Sequence, residues 1–510
     1  MRTANRSALL AGLLLGPMLG LLAGCAVGPN FVKPKPAVPA RWSRTALQAS
    51  GRRASVVDPQ AQAVTQWWRS FHDPELTSLV RRSAAANLDL REAVLRVDES
   101  LEERAVTAGG LWPSLSGNAS FTRERLSPNT PNGAIFGSSV RFPGLPPGVS
   151  LTNPFNQFQL GLAASWEIDL FGRLRRSVEA ASAQVRASVE DAHGVMISLV
   201  SDVAADYIEL RGAQLRKSIL EKSLATDRGV LELTRQRWNA GLTSDLDVEN
   251  AASEVNSTEA QLPLVEQQIT DVINQLSELL GLPPEALRAE LATSKPVPPV
   301  PPAVPIGLPA DLARRRPDIR RAEANLHAAT ARIGVATASL FPRLTLTAAG
   351  GLQSQQLSEL IEAASRFATL GPAIELPIFD AGAHAQVRLE DVRAKQAAVA
   401  YAKTVLDALH EVEDALAAYG ADQDRRVSLT KAAAASASAL ELAQQRYQGG
   451  LTSFIEVLDA ERTLEQNRLA HAQATTAVSA DLVRLYKALG GGWQGAEAPR
   501  VANSGEAEHP

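Results

Sequence analysis

Two long segments without proline constrain the fold of this chain more than any other feature. Proline is absent from residues 155–262 and again from residues 378–498. Because proline interrupts helices, the segments from about Arg173 to Trp238 and from about Ala383 to Tyr447 are each predicted as one continuous helix. Each would contain about 65 residues and measure about 100 Å. Helices of that length do not fit inside a globular domain, so the sequence predicts an elongated molecule.

Each long segment ends in the same short motif. Arg-Trp-Asn-Ala-Gly-Leu-Thr-Ser ends at Ser244, and Arg-Tyr-Gln-Gly-Gly-Leu-Thr-Ser ends at Ser453. Glycine adopts the left-handed conformation that terminates a helix, and threonine or serine hydroxyls cap the next one. The motif therefore predicts two helix-turn-helix corners. Their residues are Gly241, Leu242, Thr243, Ser244, Gly450, Leu451, Thr452 and Ser453.

The chain also contains an internal duplication. Apolar residues before each corner recur at spacings of 4, 3, 4 and 3, and an offset of 209 residues superimposes the two sets. The sets are Met196, Val200, Val203, Tyr207 and Leu210, and Val405, Leu409, Val412, Leu416 and Tyr419. This spacing is typical of a coiled-coil seam. Nearer the start of each half the offset is 229, which predicts an insertion in the first half between Leu115 and Trp166.

Two further stretches alternate between apolar and polar residues, as β-strands do. In the first half, residues 115–122 alternate, and residues 157–168 alternate again after a loop rich in proline, asparagine and glycine. The second half repeats the pattern at 343–348 and 370–378. Each hairpin thus has one apolar and one polar face. That pattern fits either a half-buried hairpin of a soluble protein or a hairpin in a membrane.

The sequence therefore predicts a mostly α-helical, internally duplicated chain with membrane β-hairpins. The predicted domains begin with a signal peptide (1–24) and an extended N-terminal arm (25–73). A first repeat (74–294) follows, with a helix, a hairpin (114–168) and a coiled coil (173–280). A proline-rich linker (295–309) joins it to a second repeat (310–493) with a helix, a hairpin (343–378) and a coiled coil (383–489), and a disordered tail (494–510) ends the chain.

The N-terminus has the character of an export signal. A basic start is followed by an apolar stretch from Ala8 to Leu22, and then by Ala23-Gly24-Cys25; this combination is typical of secretory signals. Residues 22–25 resemble the cleavage box of bacterial lipoproteins. Cys25 is the only cysteine in the chain, and lipid attachment there is favoured over a role as a small buried apolar residue. The next residue is alanine rather than aspartate, which favours the outer membrane.

Composition and spacing speak against several classes of function. The net charge is -4 and the pI is about 6.1, which disfavours nucleic acid as a partner. The seven histidines show no metal-ligand spacing, and no glycine-rich phosphate loop is present. Met196 would be the only methionine left after cleavage, so the sequence gives no indication of a series of methionines that could pass copper ions along the channel. We therefore expect no enzyme activity, cofactor or metal.

Four membrane strands do not close a barrel, because about eight is the smallest number and open edges are not tolerated in lipid. Copies must therefore pool their strands. Two copies would form a barrel filled by its own side chains, whereas three would make twelve strands and leave an aqueous lumen.

The combination of motifs resembles the outer-membrane factor family, in particular its TolC-like and OprM-like efflux channel lipoproteins of the NodT branch. The resemblance covers about residues 25 to 493. It rests on the lipoprotein box, the duplicated hairpin and coil, the two Gly-Leu-Thr-Ser turns, Arg-Arg-Pro-Asp-Ile-Arg at 315–320 and Tyr-Lys-Ala-Leu-Gly-Gly-Gly-Trp at 486–493.

The resemblance implies a homotrimer with a twelve-stranded barrel and a helical barrel that reaches into the periplasm. Such a chain would be the exit duct of a tripartite pump, bound to a periplasmic adaptor protein and an inner-membrane transporter of the RND type. Drugs or other small toxic compounds are the leading cargo. A duct for secreted polypeptides is the alternative of the same architecture, and a structural envelope-spanning lipoprotein is the alternative of another class.

The resemblance also implies a closed end at the periplasmic corners, held by polar and acidic residues. The matching positions are Glu456 and Asp459 after the second corner and Asp245 and Asp247 after the first, with Tyr447 as a constriction aromatic. Three copies would form an acidic ring, although such acids also serve simply as solvated residues that suit a helix N-terminus. Thr452 stands where the family places a basic residue, which puts a salt-bridged latch in doubt. The corners themselves are expected to bind the adaptor, or only to cap helices.

Overall fold

Helices dominate the computed structural model, which describes residues 26–35, 38–43, 56–58, 65–127, 129–131 and 153–494. In chain order the elements are β1 (Val56–Asp58), α1 (Pro74–Ala86), α2 (Leu88–Gly109), β2 (Ser114–Glu124), β3 (Phe155–Ile168), α3 (Arg173–Asn239), α4 (Asp245–Leu279), α5 (Arg288–Leu291), β4 (Ala303–Pro305), α6 (Leu312–Arg315), α7 (Pro317–Ala338), β5 (Arg343–Ser354), β6 (Arg366–Glu375), α8 (Ala381–Gln448) and α9 (Phe454–Ala488). Short 3-10 turns lie at Trp67–Phe71, Pro309–Asp311, Leu357–Glu359 and Ala363–Ser365.

The chain divides into two units. Unit 1 comprises Met1–Val32, Leu101–Gln184 and Leu326–Ala397, and unit 2 comprises Lys33–Ser100, Val185–Asn325 and Ala398–Pro510.

The two proline-free segments are continuous helices. α3 contains 67 residues and α8 contains 68. Their ends lie within two residues of the positions expected from the sequence. A long run of good helix formers, above all alanine, explains why local preference suffices here.

The four long strands form one antiparallel sheet in unit 1, in the order β2-β3-β5-β6. The hairpin connection between β2 and β3 spans residues 125–154, whereas that between β5 and β6 spans residues 355–365. The longer first connection is the insertion expected from the change in offset. β2 and β6 each have a single neighbour in the described part of the chain, so both are edge strands.

The register of the sheet places apolar side chains in rows across the strands. Leu160 pairs with Ala119 and Leu352, and Leu162 pairs with Gly117 and Gly350. On the alternate face, Gln159 pairs with Ser120 and Gln353. The apolar face of the hairpins is largely exposed within this chain, and Leu162 keeps 56% of its surface. A half-buried soluble hairpin would have covered that face, so the membrane hairpin is the better description.

Unit 2 contains the main apolar core. The Trp67 and Tyr486 rings stack with centroids 5.2 Å apart, and both side chains are fully buried. The seam predicted from the repeat contributes to this core, with Tyr207 and Tyr419 among the largest buried residues. The coiled-coil seam therefore packs the two halves of the duplication together in this unit.

The proline-rich segment after α5 runs along unit 2 rather than away from it. Its strand β4 pairs in parallel with β1. Val304 is fully buried, and the Ser479 hydroxyl donates a hydrogen bond of 2.8 Å to the Pro298 carbonyl oxygen. This segment acts as a strap on the core of its unit.

Candidate functional site at the two helix turns

The two corners have the same backbone structure. Gly241 has a φ of 72° and Gly450 a φ of 70°, a region that favours glycine. The Leu242 amide donates to the Arg237 carbonyl oxygen at 2.8 Å, and the Leu451 amide donates to the Arg446 carbonyl oxygen at 2.9 Å. These bonds satisfy carbonyl groups that the helix end would otherwise leave unpaired. The duplication thus extends to the hydrogen bonds of each turn.

Helix capping differs between the corners. At the first, the Ser244 hydroxyl accepts a hydrogen bond from the Asp247 amide, and the Asp247 carboxylate accepts bonds from the Ser244 amide and the Thr243 hydroxyl. Burial raises the pKa of Asp247, but these hydrogen bonds outweigh it, so that its pKa lies below the ordinary value. At the second corner Ser453 makes no side-chain cap, and Glu456 occupies the position equivalent to Asp247. Asp247 therefore takes part in the cap of α4, whereas Glu456 takes no part in a cap of α9.

The other predicted gate acids lie at the surface. Asp245, Glu456 and Asp459 are all exposed, and none of them forms an ion pair within the described ranges. Asp245 and Glu456 lie in the first turns of α4 and α9, where the helix dipole also favours acids. Their role in a gate stays a prediction, because it depends on copies that a single chain does not contain.

Tyr447 occupies a packed position. Only 8% of its surface is exposed. Its ring lies 5.6 Å from that of Phe454, and the Arg237 guanidinium lies 4.5 Å from its centroid. The contact with Arg237 joins the last turns of α3 and α8, a cation–π interaction worth about 0.5–2 kcal/mol. The aromatic of the first corner, Trp238, is instead exposed.

Sequence reasoning missed two residues of this site. Leu246 and Ile455 are exposed apolar residues in the first turns of α4 and α9, and the offset of 209 relates them. They extend the exposed surface of Leu242 and Leu451, which is also apolar. We call these four residues the apolar tip residues. The signal for them was present in the repeat, as an apolar residue two positions after each Thr-Ser pair.

The predicted lipid attachment residue, Cys25, lies outside the described residues, but the chain directly after it is held firmly in unit 1. The Val27 amide donates to the Phe171 carbonyl oxygen at 3.1 Å. The Arg176 guanidinium donates to the Val27 carbonyl oxygen at 3.3 Å and to the Asn30 side chain at 2.7 Å. Residues 26–30 are thereby tied to the segment that joins β3 to α3.

Two other kinds of feature are absent from the described residues. No group of three or more histidine, cysteine, aspartate or glutamate side chains is arranged to hold a metal ion. No helix in the same ranges is long and apolar enough to cross a membrane.

Comparison with known proteins gives a consistent result. The family model described as outer membrane efflux protein matches residues 79–282 and 308–491. The solvent efflux pump outer membrane protein SrpC of Pseudomonas putida is 34% identical over 489 residues, which cover 94% of this chain and 98% of that protein. Nodulation protein T of Rhizobium leguminosarum bv. viciae is 31% identical, over 96% of this chain and 94% of that protein.

A solved structure of the outer-membrane channel OprN has the same fold, with a TM-score of 0.81 and 34% identity over 92% of this chain and all of that one. The resemblance inferred from the motifs is thus confirmed over nearly the whole length. The chain belongs to the outer membrane efflux protein family.

Proposed function

We propose that this chain is one subunit of a homotrimeric outer-membrane channel that passively conducts drugs, solvents or other small toxic compounds out of the cell. The observation that carries the proposal is the four-stranded sheet, which has one exposed apolar face and, among the described residues, two unpaired edges, β2 and β6. Neither feature suits a protein that works alone in water.

The edges specify how copies assemble. Lipid does not tolerate unpaired backbone groups, so β2 of one copy must pair with β6 of the next. Three copies of the sheet would give a barrel of about twelve strands, wide enough for an aqueous lumen. The polar residues of the opposite face, such as Gln159, would then line the lumen.

The corners support a role for the tips in docking. Two turns with the same hydrogen bonds present exposed apolar tip residues, which a partner would cover. The partner we propose is a periplasmic adaptor protein, which links this channel to an inner-membrane transporter of the RND type. The transporter would supply the energy, so the channel itself needs no catalytic centre.

The same tips are proposed as the gate. A trimer would bring three copies of Asp245, Glu456 and Asp459 together, and their mutual repulsion would favour cations and strain the closed state. Asp247 contributes least, because its carboxylate is engaged in the cap.

Residues 26–30 support a lipid anchor at Cys25. Because they dock beside the end of β3, an acyl chain on Cys25 would start at a defined place relative to the sheet. Radiolabelled palmitate is expected to label the native chain and not its Cys25→Ala variant.

Dye efflux tests the proposal. The host strain lacks its own outer-membrane channels and expresses the cognate pump. It also expresses one of three forms of this chain: the native form, the Leu451→Glu variant or the Gln473→Glu variant. Native chain and Gln473→Glu, which adds the same charge to α9 far from the turn, are expected to restore efflux. Leu451→Glu should reduce efflux about tenfold, because an unpaired charge at a binding surface costs about 1–3 kcal/mol. If the native chain fails although its trimers reach the outer membrane, export of polypeptides or a structural role becomes the better explanation.

A further inference from the structure

A cluster of acidic side chains lies inside unit 2 near the tips, outside the site described above. It consists of Asp227 on α3, Glu254 on α4, and Glu461 and Glu465 on α9. Asp227 lies about 20 Å along α3 from the first corner. Only 2% of Asp227 and 6% of Glu461 is exposed. Two carboxylic side chains from the two halves of the duplication are thus buried together.

The nearby arginine side chains already form ion pairs with other acids. The Arg462 guanidinium lies 2.6 Å from the Glu254 carboxylate and donates a hydrogen bond to it. Arg228, next to Asp227 in sequence, pairs with Glu259 at 3.3 Å. From α8 the surrounding apolar cluster includes Leu440, Tyr447 and small alanines, none of which supplies a positive charge. Asp227 and Glu461 therefore have no ion-pair partner in the described part of the chain.

Hydrogen bonding leaves the same two groups unsatisfied. Neither oxygen of Asp227 or of Glu461 has a hydrogen-bond donor in good geometry. The Thr258 hydroxyl is near enough to favour the charged form of Asp227, but it does not form a well-aligned bond. Gln261 donates only to Glu465, at 3.4 Å. A proton shared between the two carboxyl groups would give one oxygen of each group a hydrogen-bond partner.

The electrostatic setting agrees with this geometry. Burial, followed by the charge of Asp227, raises the pKa of Glu461 to about 8. Burial also raises the pKa of Asp227, and the charge of Glu254 adds to the effect. Two carboxylates so placed do not ionise independently.

The internal duplication shows that packing does not require these acids. In the second half, at an offset of 209 residues, Ser436 is equivalent to Asp227 and Asn467 is equivalent to Thr258. The Asn467 side-chain amide donates a hydrogen bond of 2.6 Å to the Ser436 hydroxyl. The second half thus fills the equivalent place with a neutral, satisfied pair. The acid pair is an addition particular to the contact between α3 and α9.

We propose that Asp227 and Glu461 form a proton-operated clasp that holds α9 against α3 near the tips. With one shared proton the carboxyl groups bond to each other and the helices stay together. When the proton leaves, two buried negative charges face each other and α9 separates from α3. In the channel proposed above this separation would loosen the tip, a consequence that rests on the proposed function.

The sign of the pH dependence follows from the direction of the shifts. The folded chain binds the proton more tightly than the unfolded chain, so the contact is strongest at low pH and weakens as pH rises toward about 8. Hydrogen exchange in purified full-length trimers, corrected for the intrinsic rate at each pH, measures this directly. In the native chain the amides of residues 458–464 are expected to exchange about tenfold faster at pH 9 than at pH 6.

Two variants and a control make the test specific. Asp227→Ser, which installs the residue of the second half, and Glu461→Gln are expected to lose most of the pH dependence. Glu249→Gln removes an exposed acid of the neighbouring helix α4, which forms no ion pair within the described residues, and should behave as the native chain does. The clasp is refuted if the native trimer shows no pH dependence in this segment, or if both variants keep it. Because exchange requires no pump, this result is separate from the efflux assay.

Discussion

Gly28 packs directly on Gly334. A methyl group added to Gly28 would lie 2.5 Å from the Gly334 Cα atom, and Gly28 has a φ of 88°. Both facts exclude a side chain at Gly28. The contact lies beside the bonds that Arg176 makes to Val27 and Asn30, so the two glycines allow the segment after Cys25 to dock on α7.

Replacing Gly28 tests that docking. Gly28→Ala is expected to release residues 26–31, because the backbone of Gly334 has no room to move aside. Limited proteolysis should then cleave this segment at least about tenfold faster, as expected when a contact worth about 1–3 kcal/mol is lost. Gly109→Ala is the control, since an added methyl there meets nothing within 4 Å. Equal cleavage of both variants would show that the glycine contact does not hold the segment.

The buried Arg211 is expected to be essential for stability. It is completely buried, donates to Gln214 at 2.6 Å and to the Thr293 carbonyl oxygen at 2.8 Å, and pairs with Glu75. Arg211→Ala should lower the free energy of unfolding by about 3–5 kcal/mol, since Glu75 would lose its buried cation and keep only Lys295 as an ion-pair partner, with a hydrogen bond from Tyr207. Thermal melting of trimers in detergent measures the change.

An exposed pair provides the matched control for Arg211. Arg314 bonds to Asp311 at 2.9 Å, but its side chain is largely exposed. Arg314→Ala should change stability by less than about 1 kcal/mol. A melting temperature of Arg211→Ala as high as that of Arg314→Ala would contradict a structural role for the buried network.

The two faces of the sheet should respond differently to charge. Leu162→Arg places a cation on the apolar face and is expected to destabilise insertion by about 2–4 kcal/mol if the residue lies near the middle of the membrane. Gln159→Arg places the same cation on the polar face of β3 and should be tolerated. Folding yield into lipid vesicles measures both. Equal yields would argue against lipid on the apolar face.

Neutralising the exposed tip acids should change ion selection. Glu456→Gln and Asp459→Asn are expected to lower the preference for cations, because each removes three charges from the entrance of a trimer. Current reversal potentials in planar bilayers under a salt gradient give the measurement. Asp247→Asn should instead weaken the cap and cost about 0.5–2 kcal/mol of stability. An unchanged reversal potential in both tip variants would remove these acids from the gate.

Much of the architecture follows from local patterns. Proline-free stretches, the 4, 3, 4, 3 spacing and the strict alternation predicted the long helices and the strands, because helices and strands impose periods of 3.6 and 2 on any sequence that buries one face. The repeat offset likewise predicted that both corners would share one structure. The helix and strand signals lie within a few residues of one another, and the repeat is found by comparing the sequence with itself, so no knowledge of tertiary contacts was needed.

The individual roles of site residues were harder to predict. Asp245, Asp247, Glu456 and Asp459 look alike in sequence, yet only Asp247 is engaged in a cap. Tyr447 and Trp238 occupy equivalent places in the repeat, but Tyr447 alone is buried. Capping and burial depend on the rotation of each helix against its neighbours, which spacing along one helix does not specify.

The sequence by itself therefore determined the helices, the strands, the duplication and the family. Only the tertiary structure decided which distant residues meet. Asp227 and Glu461 lie in different halves of the chain, and the close approach of Gly28 to Gly334 joins the first described residues to a helix of the second repeat. The physical reason is that secondary structure arises from local periodicity, whereas burial, shared protons and close backbone contacts arise only when separate elements pack together.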